Sequence, residues 1–321
     1  MKKLCAIGEA LIDFIPETKG SFLKDVVSFK KVAGGAPANV AGAVAKLKGE
    51  AVFLTKLGKD AFGDYIIESL KESHIDTSYI KQSEEFDTSL AFVSLTNDGN
   101  RDFKFYRRTA ADLQFSNSDI PTDVLDNCGF VHFCSVSLVE SPMKQAHVAL
   151  LEMAMDKDVP ICFDPNLRLS LWDDEAKLKQ TVLDFIPYAN LLKISDEEVE
   201  FVTGYTNIED ALPSLFKYRC DVVIYTMGKD GVTLYTKTGK KLYVPGYRVN
   251  VKDTTGAGDS FIGAFLYKAL ANEKPLLSYS DEEYISFLEF SNAYAAYTTT
   301  KEGALSAMAN KEEIELFIKN L

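Results

Sequence analysis

Strand-length apolar runs alternate with helical patterns along most of this chain, and that alternation restricts the fold more than any other feature. Residues 4–7, 51–55, 130–134, 160–163, 191–194 and 222–226 are strand-like. Helical patterns fill many of the gaps, at 37–47, 61–73, 142–157 and 173–185. Val40, Val44 and Leu47 share one helix face, as do Phe62, Ile66 and Leu70. Such alternation predicts an α/β fold with a mostly parallel central sheet covered on both faces. The apolar content of 46% supports a core of that size and excludes general disorder. Helices at 281–300 and 311–320 are expected to pack back onto the sheet.

Two regions break the rhythm. Residues 86–107 read as a hairpin, with its turn at Asn97-Asp98-Gly99-Asn100. Residues 12–33 are strand-like with no helix between. Together, as segments of about 12–33 and 86–108, they predict a small β-sheet lid on a single domain spanning 1–321. An antiparallel extension of the main sheet would give the same pattern.

The 35 Lys and Arg stand against 47 Asp and Glu, a net charge of −12. Nucleic-acid binding needs concentrated positive charge, so that class is excluded. Any anionic ligand must be held by local devices. The five cysteines show no Cys-x-x-Cys pair and read as buried free thiols in a reducing compartment. Three scattered His argue against a His-based metal site. Glu9 and Asp13 interrupt the first apolar stretch, so the start reads as a strand, not a signal peptide. No apolar stretch is long enough for a membrane span. A cytoplasmic location is expected.

The segment Asp253-Thr254-Thr255-Gly256-Ala257-Gly258-Asp259 leads straight into an apolar helical stripe. Glycines permit close backbone approach, and first-turn amides favour an anion. Asp259 in that turn can take a proton from a hydroxyl. Anion cradle and base together suggest phosphoryl transfer to an alcohol, although a plain helix cap needs the same residues. Gly34-Gly35-Ala36-Pro37-Ala38-Asn39 is a second glycine turn into a helix. Its Asn39 amide suits a hydroxyl. Asp13, after the first strand, is a carboxylate that can bridge two hydroxyls. A Walker loop is absent, because Asp64 follows the 58–63 interval, and no Gly-x-Gly-x-x-Gly follows the first strand.

Taken in order, these motifs resemble the PfkB (ribokinase-like) family of sugar kinases, and within it the fructokinases. Residues 34–39 look like the family's N-terminal signature and 253–259 like its C-terminal one. Phe105-Tyr106-Arg107-Arg108, Asp164-Pro165-Asn166-Leu167-Arg168, Ser195-Asp196-Glu197-Glu198 and Thr226-Met227-Gly228 extend the likeness over 4–308. The resemblance implies a ribokinase-like αβα sandwich with a small lid that is often a dimer contact. It implies an ATP-dependent kinase for a sugar's primary hydroxyl, here the 6-hydroxyl of fructose. By that likeness Asp259 is the base, and the Gly256, Ala257 and Gly258 amides form the anion hole. Asp13, Gly34, Gly35, Asn39, Arg107 and Arg168 would hold sugar. Lys193, Ser195, Thr226, Gly228 and Asn292 fall where the family binds nucleotide. Glu198 matches the acid tied to Mg2+ through water, although Ser195 replaces the family's Asn. Asp253, Thr255, Thr298, Lys301 and Gly303 match positions around a K+ ion, while Ala307 replaces a ribokinase Ser. The alternatives are a 2-keto-3-deoxygluconate kinase or another PfkB sugar kinase, and a sugar-binding regulator without catalysis.

Overall fold

The structure, a computed structural model, describes residues 1–17, 20–95, 101–172 and 174–321. In chain order, β1 (Lys3–Ile7), β2 (Leu11–Pro16) and β3 (Phe29–Gly34) precede α1 (Ala36–Lys46). Next come β4 (Ala51–Leu54), β5 (Lys56–Gly58), α2 (Ala61–Glu72), β6 (Lys81–Ser83), β7 (Leu90–Leu95) and β8 (Arg101–Tyr106). Then follow β9 (Cys128–Cys134), α3 (Pro142–Asp156), β10 (Ile161–Asp164), α4 (Glu175–Phe185) and β11 (Leu191–Ser195). After these come α5 (Asp196–Thr203), α6 (Ile208–Leu215), β12 (Val222–Thr226), β13 (Val232–Thr236) and β14 (Lys241–Val244). The chain closes with α7 (Ala257–Asn272), α8 (Asp281–Thr299) and α9 (Lys311–Lys319).

The main sheet has the order β14-β13-β12-β11-β10-β9-β1-β4. It is parallel from β4 to β12, while β13 and β14 run antiparallel at one edge. Alternate strand residues feed two separate cores, as a pleat requires. Leu4 and Ala6 of β1 join the core under α1, α7 and α8. Cys5 and Ile7 face the core under α3, α4, α5 and α6. All five cysteines are buried and unpaired.

A second sheet, β3-β2-β7-β8, stands apart from the main layer. Its strands come from the two stretches that broke the alternation. The turn at Asn97 to Asn100 lies outside the described residues, as does Asp173 before α4. One face of this sheet carries Phe14, Phe29, Phe92 and Tyr106, with Phe14 and Phe92 stacked at 4.6 Å. Asp13 alternates to the opposite face. Among the described residues no helix is long and apolar enough to cross a membrane.

One contact aligns α1 with α7. A Cβ at Gly263 would lie 2.5 Å from Ala43 Cβ and 2.9 Å from the Val40 carbonyl oxygen. A glycine inside a helix ordinarily costs about 0.5–1 kcal/mol relative to Ala. Here it lets two helices touch, so the sign reverses. Gly263→Ala should destabilise the protein by roughly 1–3 kcal/mol through overpacking. Urea unfolding checks this, and a variant as stable as the parent would show that the helices have room to spare.

Candidate active site

Strand order reverses on either side of β1, and functional residues gather at the carboxyl ends of the parallel strands, as expected for open α/β sheets. Glu9 follows β1, Asp164 ends β10, Lys193 and Ser195 lie at the end of β11, and Thr226 ends β12.

Two helices aim their first turns here, α1 and α7. Both open on a glycine, Gly35 and Gly256, which has no side chain of its own to cap the amides. The other described α-helices all open on Asp, Ser or Asn. Both glycines have positive φ, +123° and +74°. A Cβ at Gly35 would lie 2.3 Å from the Glu9 carbonyl oxygen. At α7 this leaves first-turn amides uncovered by side chains, which suits an anion, whereas at α1 the Glu9 carboxylate already accepts from the Ala36 amide. The Ala257 amide already donates to the Thr254 carbonyl at 3.2 Å, so it is the most committed of the three expected in the anion hole.

Asp259 is buried in the first turn of α7. Asn39 Nδ2 donates to its Oδ2 at 2.8 Å, and Asn166 Nδ2 donates to its Oδ1 at 2.8 Å. Burial pushes the Asp259 carboxyl up from the ordinary carboxylate range. The Asn39 bond, the Arg168 and Lys193 charges, and the Asn166 bond oppose that rise. Asn39 Oδ1 is buried without a partner, so this amide has an acceptor left for a hydroxyl.

Beside this base, Lys193 Nζ lies 3.1 Å from Asp164 Oδ1 in a buried ion pair. Burial disfavours the ammonium, but Asp164, Glu198 and Asp259 outweigh it and hold Lys193 charged. A Cβ on Gly258 would stand 3.2 Å from Lys193 Nζ, which places this cation against the glycine turn. Glu198 is a buried cap of α5. Its Oε2 accepts from the Ser195 amide and its Oε1 from the Leu167 amide, both at 2.9 Å. Burial raises its pKa, yet Lys193 and these amides lower it further, for a net decrease.

Asp13 lies on β2, against Gly34, where a Cβ would sit 2.2 Å from Asp13 Oδ2. Burial pushes its carboxyl up to about 7, against the pull of Arg168 and with help from Glu9. Arg168 is exposed at the mouth, its Nη1 donating to the Leu167 carbonyl. Arg107, expected to reach sugar from the lid, is instead engaged inside the protein. Its Nε donates to Asp112 Oδ2 at 2.8 Å, Nη1 to the Val136 carbonyl at 2.7 Å, and Nη2 to Ser137 Oγ at 3.0 Å. Ser137 Oγ donates to Glu9 Oε2 at 2.6 Å, and Glu9 Oε1 accepts from the Ala36 amide. Arg107 is therefore tied to the first turn of α1 through two intermediaries.

The remaining expected residues form two groups. Thr226 and Gly228 lead into a short turn after β12, and Asn292 Nδ2 on α8 donates to the Pro245 carbonyl at 3.0 Å. Asp253 Oδ1 accepts from the Thr255 amide and hydroxyl, and its Oδ2 accepts from the Gly303 amide, so one carboxylate joins three of the five expected cation-site residues. Thr298 donates its hydroxyl to the Tyr294 carbonyl within α8. The Lys301 ammonium turns to the Tyr297 hydroxyl and Glu313.

Sequence reading assigned no role to Glu9, Asp164 or Asn166. A usable signal existed for the last two: acid and amide sit where an apolar strand ends.

Together these groups supply a buried base, uncovered helix-end amides and an interior cation, a set suited to moving a phosphoryl group. The chain belongs to the pfkB family of carbohydrate kinases. Residues 1–311 match the family described as "pfkB family carbohydrate kinase". It is 37% identical to probable fructokinase-4 of Arabidopsis thaliana over 318 residues, 98% of this chain and 96% of that protein. The fold is similar to a fructokinase with bound ATP from Xylella fastidiosa, with a TM-score of 0.91, 30% identity, and 99% and 98% of the chains covered. It is also similar to a fructokinase double mutant from Vibrio cholerae O395 in fructose-, ADP- and potassium-bound form, with a TM-score of 0.86, 30% identity, and 99% and 98% covered. It is therefore a phosphotransferase that acts on a sugar hydroxyl and uses ATP.

The raised Asp13 pKa has a signed consequence. The folded value, about 7, lies above the unfolded one of about 3.9, so this group stabilises the fold in acid and loses that contribution as pH rises to 7. Asp13→Asn should raise Tm at pH 8, with a smaller gain at pH 5. Thermal melts at both values test this, and an equal shift at each would remove the titration from the explanation.

Proposed function

We propose that this kinase phosphorylates fructose on its 6-hydroxyl, with Asp259 as general base. The observation that carries the reading is Asp259 itself, buried, gripped through both oxygens, and set in the first turn of an uncapped helix beside Lys193. Asp259 would take the acceptor hydroxyl's proton, and the Gly256 and Gly258 amides would meet the phosphoryl oxygens, with Ala257 the lesser donor. Asn39, Asp13, Gly34 and Gly35 would hold the sugar. Arg168 would close over it from the mouth, while Arg107 would act through Ser137 and Glu9. Lys193, Ser195, Thr226, Gly228 and Asn292 would line the nucleotide side.

Fructose is favoured over an acidic sugar by local charge. Asp13 and Glu9 lie at the sugar end, and Arg107 is already bonded to Asp112. A substrate carboxylate would meet two buried carboxyls that already resist ionisation, with Arg168 as the exposed counter-charge beside them.

Mg2+ suits Glu198 as an outer acid. Both its oxygens already accept amides, and among the described residues no group of three or more His, Cys, Asp or Glu could cage a metal. A small, strongly hydrated cation would sit on phosphate oxygens and waters and neutralise their charge. K+ would sit by the Asp253, Thr255 and Gly303 turn, with Thr298 and Lys301 flanking it. The Vibrio fructokinase with bound potassium supports that reading. A single kinase domain over 1–321, its lid at about 12–33 and 86–108, fits the two sheets. The aromatic face of the small sheet, with Tyr106 60% exposed, fits a homodimer contact. A monomer in sedimentation equilibrium at micromolar protein would remove the dimer. The five unpaired thiols suit a cytoplasmic location, which cell fractionation decides.

Coupled ADP assays on a panel of fructose, ribose and 2-keto-3-deoxygluconate, with and without K+, test the function. Fructose should give the highest kcat/KM, and Asp259→Asn should lower kcat roughly 10²–10⁴-fold. A tenfold preference for the keto-acid, or near-normal turnover by the variant, overturns the reading.

A further inference from the structure

Asn166, in the loop after β10, hydrogen-bonds to the base. Its backbone has φ +45°, a left-handed value that Asn tolerates better than most residues. It is buried, and Nδ2 lies 2.8 Å from Asp259 Oδ1. The loop is pinned on both sides of it. Pro165 accepts through its carbonyl from the Ser135 amide at 3.1 Å, and the Leu167 amide donates to Glu198 Oε1 at 2.9 Å. The backbone flanking Asn166 is thus held by Ser135, just after β9, and by Glu198 of α5, and its side chain is spent on α7.

We propose that Asn166 is a positioning residue for the phosphoryl acceptor's base: with Asn39 on Oδ2, it grips Oδ1 and fixes the carboxylate plane of Asp259 toward the acceptor hydroxyl. The inference rests on the reading of Asp259 as base. A carboxylate held by one bond could swing about Cβ–Cγ, but one held at both oxygens cannot. Each N–H donor also favours the ionised form, so the clamp keeps a buried acid able to accept a proton. The charged and titratable groups facing Asp259 come from several elements. Lys193 on β11 and Arg168 in the loop favour its ionisation, and Asp164 and Cys134, at the ends of β10 and β9, interact with its charge. None of these bonds to its oxygens, whereas the two amides do. The strained backbone has a purpose in this account: a right-handed residue here would aim its side chain elsewhere while Leu167 stayed on Glu198.

Asn166→Gly is the informative substitution. Glycine adopts the left-handed backbone without steric cost, and the substitution removes the side-chain amide from Asp259. The acid limb of the kcat/KM profile for fructose should move toward higher pH by about one unit, with kcat at the plateau lowered roughly tenfold and KM for MgATP within about twofold. Asn166→Asp, nearly isosteric, sets a like charge against the base and should move the limb further. A lower kcat with an unshifted limb in both variants would mean a merely structural residue and overturn the proposal. Unchanged kinetics would overturn it as well. The parent enzyme and Asp259→Asn run alongside separate the two failures. If Asp259→Asn stays active, the base assignment and this proposal fall together. If it is inactive but Asn166→Gly keeps the parent profile, only the role of Asn166 falls.

Discussion

Close packing of α1 on α7 is the constraint from which the site follows. Gly263 allows the Val40 and Ala43 side of α1 to touch α7 directly. That contact lies about one turn beyond Asn39 and Asp259, so it sets the distance between an amide on one helix and a carboxylate on the other. The resulting 2.8 Å bond links residues 220 apart in sequence. It also brings two glycine-capped helix ends to one place. Packing energy, rather than a loop, therefore holds the reacting groups in register, which is what a site needing tight geometry demands.

A chain with a net charge of −12 must still attract and hold a polyphosphate. The structure answers with position rather than number. Lys193 is buried among Asp164, Glu198 and Asp259, so its charge is assured before any ligand arrives. Asp164 illustrates the cost. Burial raises its carboxyl to about 7 even though Lys193 pulls the other way, and its Oδ2 has no partner. Breaking such a pair would strand a charge inside the protein. The cluster reads as a site kept for function against the preference of its acids for water.

Much of this was legible from residue order. The 3.6 and 2.0 periodicities located the principal strands and helices within one or two residues, because burial on a two-sided sheet writes itself into the pattern. Asp259, Asn39 and the two glycine turns were visible because helix starts have local chemistry. Other features were not visible. The antiparallel β13 and β14 were absent from the strand reading: β14 is a partly exposed edge with a weak pattern, and β13, though buried, is a five-residue run broken by Thr233 and Thr236. Arg107 looked like a lid cation, but its partners Val136 and Ser137 become neighbours only through folding. Asn166 was legible only as a polar residue beyond a strand end: nothing local says that its amide will meet a helix 93 residues later.

The two devices around Asp259 pull in opposite directions, and the site depends on that opposition. Burial excludes water, which strengthens every electrostatic contact but disfavours the carboxylate. Two amide donors and two nearby cations oppose that shift. A fully solvated acid would stay ionised but be a weak base, and an unsupported buried one would stay protonated and unable to accept. Holding the group between those limits requires donors that arrive from separate elements, α1 and the loop after β10, onto the first turn of α7. A fold that crosses helices over the carboxyl ends of a parallel sheet brings those elements together there, and so the base can be both dry and ready.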